Sequence, residues 1–195
     1  MATGSGKTIT AIHALRSFKK SIPGGFIFIV VPKQDLARQW IVELNKTGIK
    51  TINAFESKNK WIESLTNECI AASLKKIEAP CIVSVVNTFN STPFKGLIGF
   101  FDNVIEKNHL LISDECHYFN DEEKIKNLPN FVNFRLGLSA TPYDQYEQEK
   151  KEEQYLRSYF GDIVFEYSLK DAIKDKKLTH YYYYVVEVSL DEDET

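Results

Sequence analysis

The 195-residue chain is 43% hydrophobic and 26% charged, with 24 lysines and arginines against 27 aspartates and glutamates, a net charge of −3. That length fits one domain able to bury about 70% of the surface its unfolded chain exposes. The charge balance excludes a globally basic protein, so any nucleic-acid contact must come from a local patch or another domain.

The longest apolar run, Phe26 to Val31, is far shorter than the ~20 residues that cross a bilayer. No charged-then-apolar leader opens the chain, so the expectation is a cytoplasmic protein without a membrane partner. Cys69, Cys81 and Cys116 are odd in number and lack a close CxxC pairing, which predicts reduced structural thiols rather than disulfides or a zinc site.

The first element is Met1-Ala2-Thr3-Gly4-Ser5-Gly6-Lys7-Thr8, a phosphate-binding loop. Glycines at 4 and 6 let successive amide N–H groups close on an anion. Gly4, Ser5 and Gly6 would cradle the phosphates, Lys7 would reach the β- and γ-phosphates, and the Thr8 hydroxyl would ligate Mg²⁺. Ile9, Ala11, Ile12, Leu15 and Phe18 recur at helical spacing, predicting a helix whose positive end faces the phosphates. Such a loop calls for a strand running into it. The chain starts at the motif, so the reading expects a domain truncated at its N-terminus.

Gly25 to Val31, closed by Pro32, is a continuous β-branched and aromatic run, the pattern of a strand buried on both faces. A helix is expected from Gln34 to Lys46, with Leu36, Ala37, Trp40, Ile41 and Leu44 on one face and Gly48 ending it. The alternation repeats as a strand near Thr51 to Phe55, a helix near Lys60 to Lys76 and a strand from Cys81 to Val86. A Pro93-initiated helix through about Lys107 leads to a buried strand, His109 to Ser113, which delivers Asp114 and Glu115 at its carboxyl end. Phe134 to Leu138 delivers Ser139-Ala140-Thr141-Pro142 in the same way. Alternation of this kind means an α/β fold with a mainly parallel sheet, and ligand sites in such sheets lie at the carboxyl ends of the strands. Beyond it come a charged helical stretch from Tyr143 to about Tyr159, a capping box at Ser168 to Asp171, a strand from Tyr181 to Val188, and an acidic tail over 191–195.

Hydrolysis of a nucleoside triphosphate needs a phosphate cradle, a metal ion and a residue that orients water. Asp114, at a strand end, has the placement of the second Mg²⁺ ligand beside Thr8, and Glu115 is the carboxylate suited to water or general-base work. His117 could hydrogen-bond the γ-phosphate or the Ser139/Thr141 loop, whereas His13, His109 and His180 read as structural.

In order and on these elements, Ala2 to Thr8, Asp114-Glu115-Cys116-His117 and Ser139-Ala140-Thr141 resemble motifs I, II and III of superfamily 2 helicases and translocases, in the DExH group. Val31-Pro32-Lys33 with Leu36, Gln39 and Trp40 is similar to motif Ia, and Val85 to Phe89 is similar to the later nucleic-acid-contacting motif. Tyr159-Phe160-Gly161 through Leu178 looks like the segment after motif III in the restriction-enzyme-subunit branch, shared with some repair translocases.

The resemblance implies a RecA-like P-loop NTPase, a three-layer sandwich, with ATP and Mg²⁺ as cofactors. It implies catalytic or coupling roles for Lys7, Asp114, Glu115, His117, Ser139 and Thr141, and backbone contacts to nucleic acid by Pro32, Lys33, Arg38 and Thr88. DNA is expected through the branch, with RNA left open because no residue reads a 2′-hydroxyl. The expected organisation is a first RecA-like domain over 1–190, with the second domain, motifs IV to VI and their arginine finger absent. The expected function is the ATP-binding domain of an ATP-dependent DNA helicase or translocase of restriction, defence or repair type. Its partners would be a second RecA-like domain or other subunits of such a complex, and this chain alone would be weak or inactive. The alternative is a non-catalytic fragment that binds nucleotide or nucleic acid without cycling.

Overall fold

In the computed structural model of the protein, the described residues are 6–22, 24–75, 78, 80–102, 105, 108–140, 149–180, 182 and 184. Five strands, β1 (Ile27–Val31), β2 (Thr51–Ala54), β3 (Cys81–Val85), β4 (Leu110–Asp114) and β5 (Phe134–Leu138), form one sheet in the order β2-β3-β1-β4-β5. Every pairing is parallel. Helices α1 (Lys7–Ser21), α2 (Gln34–Lys46), α3 (Lys58–Ser73), α4 (Val86–Phe89), α5 (Thr92–Phe101), α6 (Glu122–Lys126), α7 (Glu149–Phe160) and α8 (Leu169–Lys174) surround it.

The alternation of side chains along each strand divides the interior into two cores, giving three layers. Ile27, Ile29, Val31, Val83 and Ile112 face Ala11, Ile12 and Leu15 of α1 and Ala37, Trp40 and Leu44 of α2. Phe28, Val30, Ile82 and Leu111 face Trp61, Leu65 and Cys69 of α3, Phe94 and Ile98 of α5, and Leu156 and Tyr159 of α7. All five residues of β1 are buried, which is why this segment reads as an unbroken apolar run rather than an alternating one. β5 is an edge among the described residues and is correspondingly less buried. It is held by Arg135, which donates to the Tyr159 carbonyl (3.0 Å) and lies 4.0 Å over the Tyr159 ring.

Several expected boundaries shift, each for a local reason. β4 runs one residue further than the sequence pattern suggests, through Asp114, because Asp114 is paired opposite Leu138 of β5. Val86 is not the last residue of β3. The β1 and β2 ladders beside β3 end at Val31 and Ala54, and the chain turns into α4, with the Asn90 N–H bonding the Val86 carbonyl. α3 starts at Lys58 and stops at Ser73, where Lys75 takes a left-handed φ of 55°. α5 ends at Phe101 rather than near Lys107, and the Asp102 carboxylate turns to His109 instead. Helical spacing places Ile9 on the apolar face of α1, but in the first turn of the helix it is 46% exposed, while Ala11, Ile12 and Leu15 are buried. The 3₁₀ turn Cys116–Phe119 and α6 carry no strong sequence pattern and are additions to the expected elements. The capping box opening α8 forms as expected, with Ser168 and Asp171 bonding each other's backbone N–H. The acidic tail and the expected strand from Tyr181 to Val188 lie outside the described residues, apart from Tyr182 and Tyr184, which are exposed.

His109 has the structural role expected of it. Fully buried, it accepts the Phe26 N–H on Nδ1 (2.9 Å) and binds Asp102 Oδ1 through Nε2 (2.8 Å), so the neutral Nε2–H tautomer ties β1 to the loop before β4. Beside it, Gly25 has φ +82°, and an added Cβ would stand 2.3 Å from the Asn108 carbonyl oxygen. Gly25→Ala therefore combines a left-handed penalty with a backbone collision. It should cost about 2–5 kcal/mol in urea unfolding, and a loss below about 1 kcal/mol would contradict the packing described. In β5 a Cβ on Gly137 would meet Cys116 Sγ at 3.0 Å and the Phe160 ring at 3.2 Å. Gly137→Ala should cost less than Gly25→Ala, because side chains rather than backbone must yield.

Candidate nucleotide site

Strand register assembles the site. Val30 pairs with Ser113, and Asp114 pairs with Leu138, so the residues just after β1, β4 and β5 leave the sheet at one level. Lys33, at the start of α2, Asp114-Glu115 and Ser139 consequently share the carboxyl edge. Thr88, in α4 directly after β3, joins them there.

α1 enters at the same edge. Gly6 caps it in a left-handed conformation with φ 92°, and among the described residues no side chain caps its first amides or places a negative charge in its first turn. A helix start of this kind leaves N–H groups directed at whatever anion is nearby. Gly6 could not take this φ readily as another residue. The Lys7 ammonium lies 3.4 Å from Glu115 Oε1. Thr8 stands in the first turn of α1, half-buried. Gly4, Ser5 and Thr141, site residues by sequence, lie outside the described residues.

The acidic pair divides in environment. Asp114 is 6% exposed, with Oδ2 accepting the Trp40 indole N–H (2.8 Å) and Oδ1 accepting the Glu115 backbone N–H (3.0 Å). Glu115 has a left-handed φ of 52° and caps the 3₁₀ turn after it. That backbone turns its carboxylate toward Lys7 on one oxygen and toward His117 Nδ1, 3.4 Å away, on the other. His117 Nδ1 also lies 3.0 Å from Ser139 Oγ, so the β4 and β5 loops are linked through one imidazole.

The structure thus brings Lys7, Asp114, Glu115, His117 and Ser139 together. Lys33 and Arg38 sit on the first turns of α2, both exposed, with Pro32 just before them. Arg38 is held by its own helix, through Asp35 (2.9 Å) and Gln34 (3.3 Å). Sequence pattern marks Trp40 as a core residue and motif neighbour but does not reveal its contact with Asp114. The available signal is chemical: a buried indole carries an N–H that must find an acceptor.

Among the described residues no three His, Cys, Asp or Glu side chains gather as a metal cage. Carboxylates and a threonine hydroxyl are instead hard oxygen donors of the kind Mg²⁺ uses together with phosphates, so the donor types of Asp114, Glu115 and Thr8 fit that ion. An apolar cavity of about 230 Å³ lies elsewhere, lined by Phe28, Phe89, Phe94, Ile98, Leu128 and Phe131 among others, and none of the five gathered residues borders it.

A parallel sheet between helical layers, with the start of α1 and an Asp-Glu pair meeting at its carboxyl edge, is the RecA-like fold. Residues 1–144 match the family described as type III restriction enzyme, res subunit, and the chain belongs to it. It is 27% identical over 206 residues to the type I restriction enzyme EcoAI endonuclease subunit of Escherichia coli, an alignment covering 99% of this chain and 21% of that protein. The type ISP restriction-modification enzyme LlaGI, solved as a nuclease-deletion mutant with a DNA substrate mimic, superposes with a TM-score of 0.65 at 18% identity over 91% of this chain and 18% of that one. The UvsW helicase from bacteriophage T4 gives 0.54 at 22% identity over 83% of this chain and 51% of that one. The chain spans about a fifth of the length of the curated relatives it matches, 21% and 18%.

The three cysteines are free and buried, and burial is the leading cause that pushes each thiol up to about 12. At Cys116 the neighbouring Glu115 and Asp114 charges add to the rise. A thiol raised in the folded state contributes stability that is intact below the unfolded value near 9 and is lost as pH climbs from there toward 12. Native protein at a pH of about 8, below the ordinary thiol value, should leave a thiol-reactive dye almost uncoloured, and denaturant should release three equivalents. Rapid labelling of the native chain would contradict the burial of Cys116.

Proposed function

We propose that residues 1–190 act as the first RecA-like, ATP-binding domain of an ATP-dependent DNA helicase or translocase of the restriction or defence type. The contact that carries this reading is Lys7 at 3.4 Å from Glu115, beside a buried Asp114 already oriented by two hydrogen bonds. In the proposed site Gly4 to Lys7 hold the triphosphate, with the α1 amides and the Lys7 ammonium balancing its charge. Thr8 and Asp114 would hold Mg²⁺, which supplies charge neutralisation at the β- and γ-phosphates. Glu115 orients and deprotonates the attacking water. Its pairing with Lys7 keeps the carboxylate within reach of the phosphate loop.

His117 and Ser139, with Thr141 beyond them, pass the state of this site to β5 and to the chain after it. Pro32, Lys33, Arg38 and Thr88 touch the sugar-phosphate backbone, contacts that position a strand without reading its sequence. The DNA substrate mimic bound by LlaGI and the endonuclease-subunit relative favour DNA as the track. A second RecA-like domain or companion subunit would complete the machine, since an arginine finger supplied in this way raises turnover about 10³- to 10⁵-fold.

Mg²⁺–ATP should raise the melting temperature of the chain, and Lys7→Ala should weaken nucleotide binding about 10- to 150-fold, the equivalent of one lost charge-assisted hydrogen bond. Differential scanning calorimetry measures the first and isothermal titration the second. No Mg²⁺-dependent ATP binding by the unaltered chain would overturn the proposal. Phosphate release by the isolated chain should be slow and little stimulated by DNA, and Glu115→Gln should bind ATP while abolishing what release there is. Binding with no release under any condition, even beside a supplied second domain, would favour a non-cycling module.

A further inference from the structure

We infer that Trp40 is a positioning residue for the metal carboxylate, and that through it α2 and the cation site form one rigid unit. The inference rests on the proposed roles of Asp114 and Mg²⁺. β4 side chains alternate, so Asp114 shares the face of Leu110 and Ile112, the face covered by α1 and α2. Trp40 stands on that side of α2, 1% exposed, in the same core as Ala37 and Leu44. Its Nε1–H meets Asp114 Oδ2 at 2.8 Å, a short bond from a group that can only donate. Among the described residues it is the single side chain that hydrogen-bonds this carboxylate.

An ionised carboxylate offers about four lone-pair positions. The indole takes one on Oδ2 and the Glu115 amide takes one on Oδ1, which fixes the plane of the group and leaves the others for a cation or its water. Groups that orient a metal ligand are worth about 10- to 100-fold in metal affinity. Trp40 is also built into α2, whose N-terminal end carries Lys33 and Arg38, the proposed backbone-contacting cations. A shift of α2 driven by nucleic acid therefore moves the donor on Asp114 directly, without passing through the His117–Ser139 link.

The test compares Trp40→Phe with Trp61→Phe, which removes a buried indole from the opposite core. Mg²⁺ is titrated against the full chain with a fluorescent ATP analogue, and unfolding of each variant is followed by circular dichroism. Trp40→Phe should raise the Mg²⁺ half-saturation about 10- to 100-fold, whereas Trp61→Phe should change it less than about twofold. In the Trp61→Phe background, emission from Trp40 should shift when Mg²⁺ is added with nucleotide and should not shift with nucleotide alone. This readout needs no substitution at Trp40 itself. Equal Mg²⁺ half-saturation in the two variants, or Trp40 emission indifferent to Mg²⁺ while nucleotide binds, would overturn the inference and leave the proposed function standing. Absence of Mg²⁺-dependent nucleotide binding in the unaltered chain would remove both.

Discussion

A parallel strand cannot slip by one residue without turning every inward side chain outward. In this chain that restriction does more than protect the core. With β1, β3, β4 and β5 locked in register, the residues after each strand are delivered to a common level, and every group of the candidate site comes from one of those exits or from the start of α1. Asp114 opposite Leu138 is the telling pair: it sets Ser139 level with Glu115, which is what allows one imidazole to bridge the two loops. Shift β5 by one step and Ser139 points to the other face.

The same sheet separates two kinds of work. The face covered by α1 and α2 carries the groups suited to nucleotide chemistry, since Lys7 and Trp40 reach the acidic pair from helices packed there. The opposite face is aromatic, with Phe28, Phe89, Phe94 and Trp61 in edge and tilted contacts. Its helices support the strands without contributing one of the five gathered residues, and Phe160 of α7 packs against Gly137 of β5.

Much of this is readable from residues alone, and for identifiable reasons. β1 and β4 announce themselves because strands buried on both faces need unbroken apolar runs, and the start of α8 because Ser168 and Asp171 carry its capping chemistry locally. The convergence of Lys7, Asp114-Glu115 and Ser139 comes from placing each at the carboxyl end of a parallel strand or the start of a helix. Other features escape such a reading. The length of α5 depends on Asp102 finding His109, and the end of α3 depends on a left-handed lysine at 75. The Trp40–Asp114 bond joins residues 74 positions apart, and helical periodicity accounts for a buried tryptophan without saying where its N–H goes.

Glu115 holds its carboxylate in place from a strained backbone. A left-handed conformation costs a non-glycine residue about 1–2 kcal/mol, and asparagine or glycine would sit in that turn with less strain. Local stability and the carboxylate thus pull in opposite directions at a single position, and a sequence optimised for ruggedness alone would drift away from glutamate there. Under the proposed function, the turn is therefore a place where thermal robustness trades against the carboxylate that would serve hydrolysis. Any stabilised form of this domain has to find its gains elsewhere, in the aromatic core or at the helix ends.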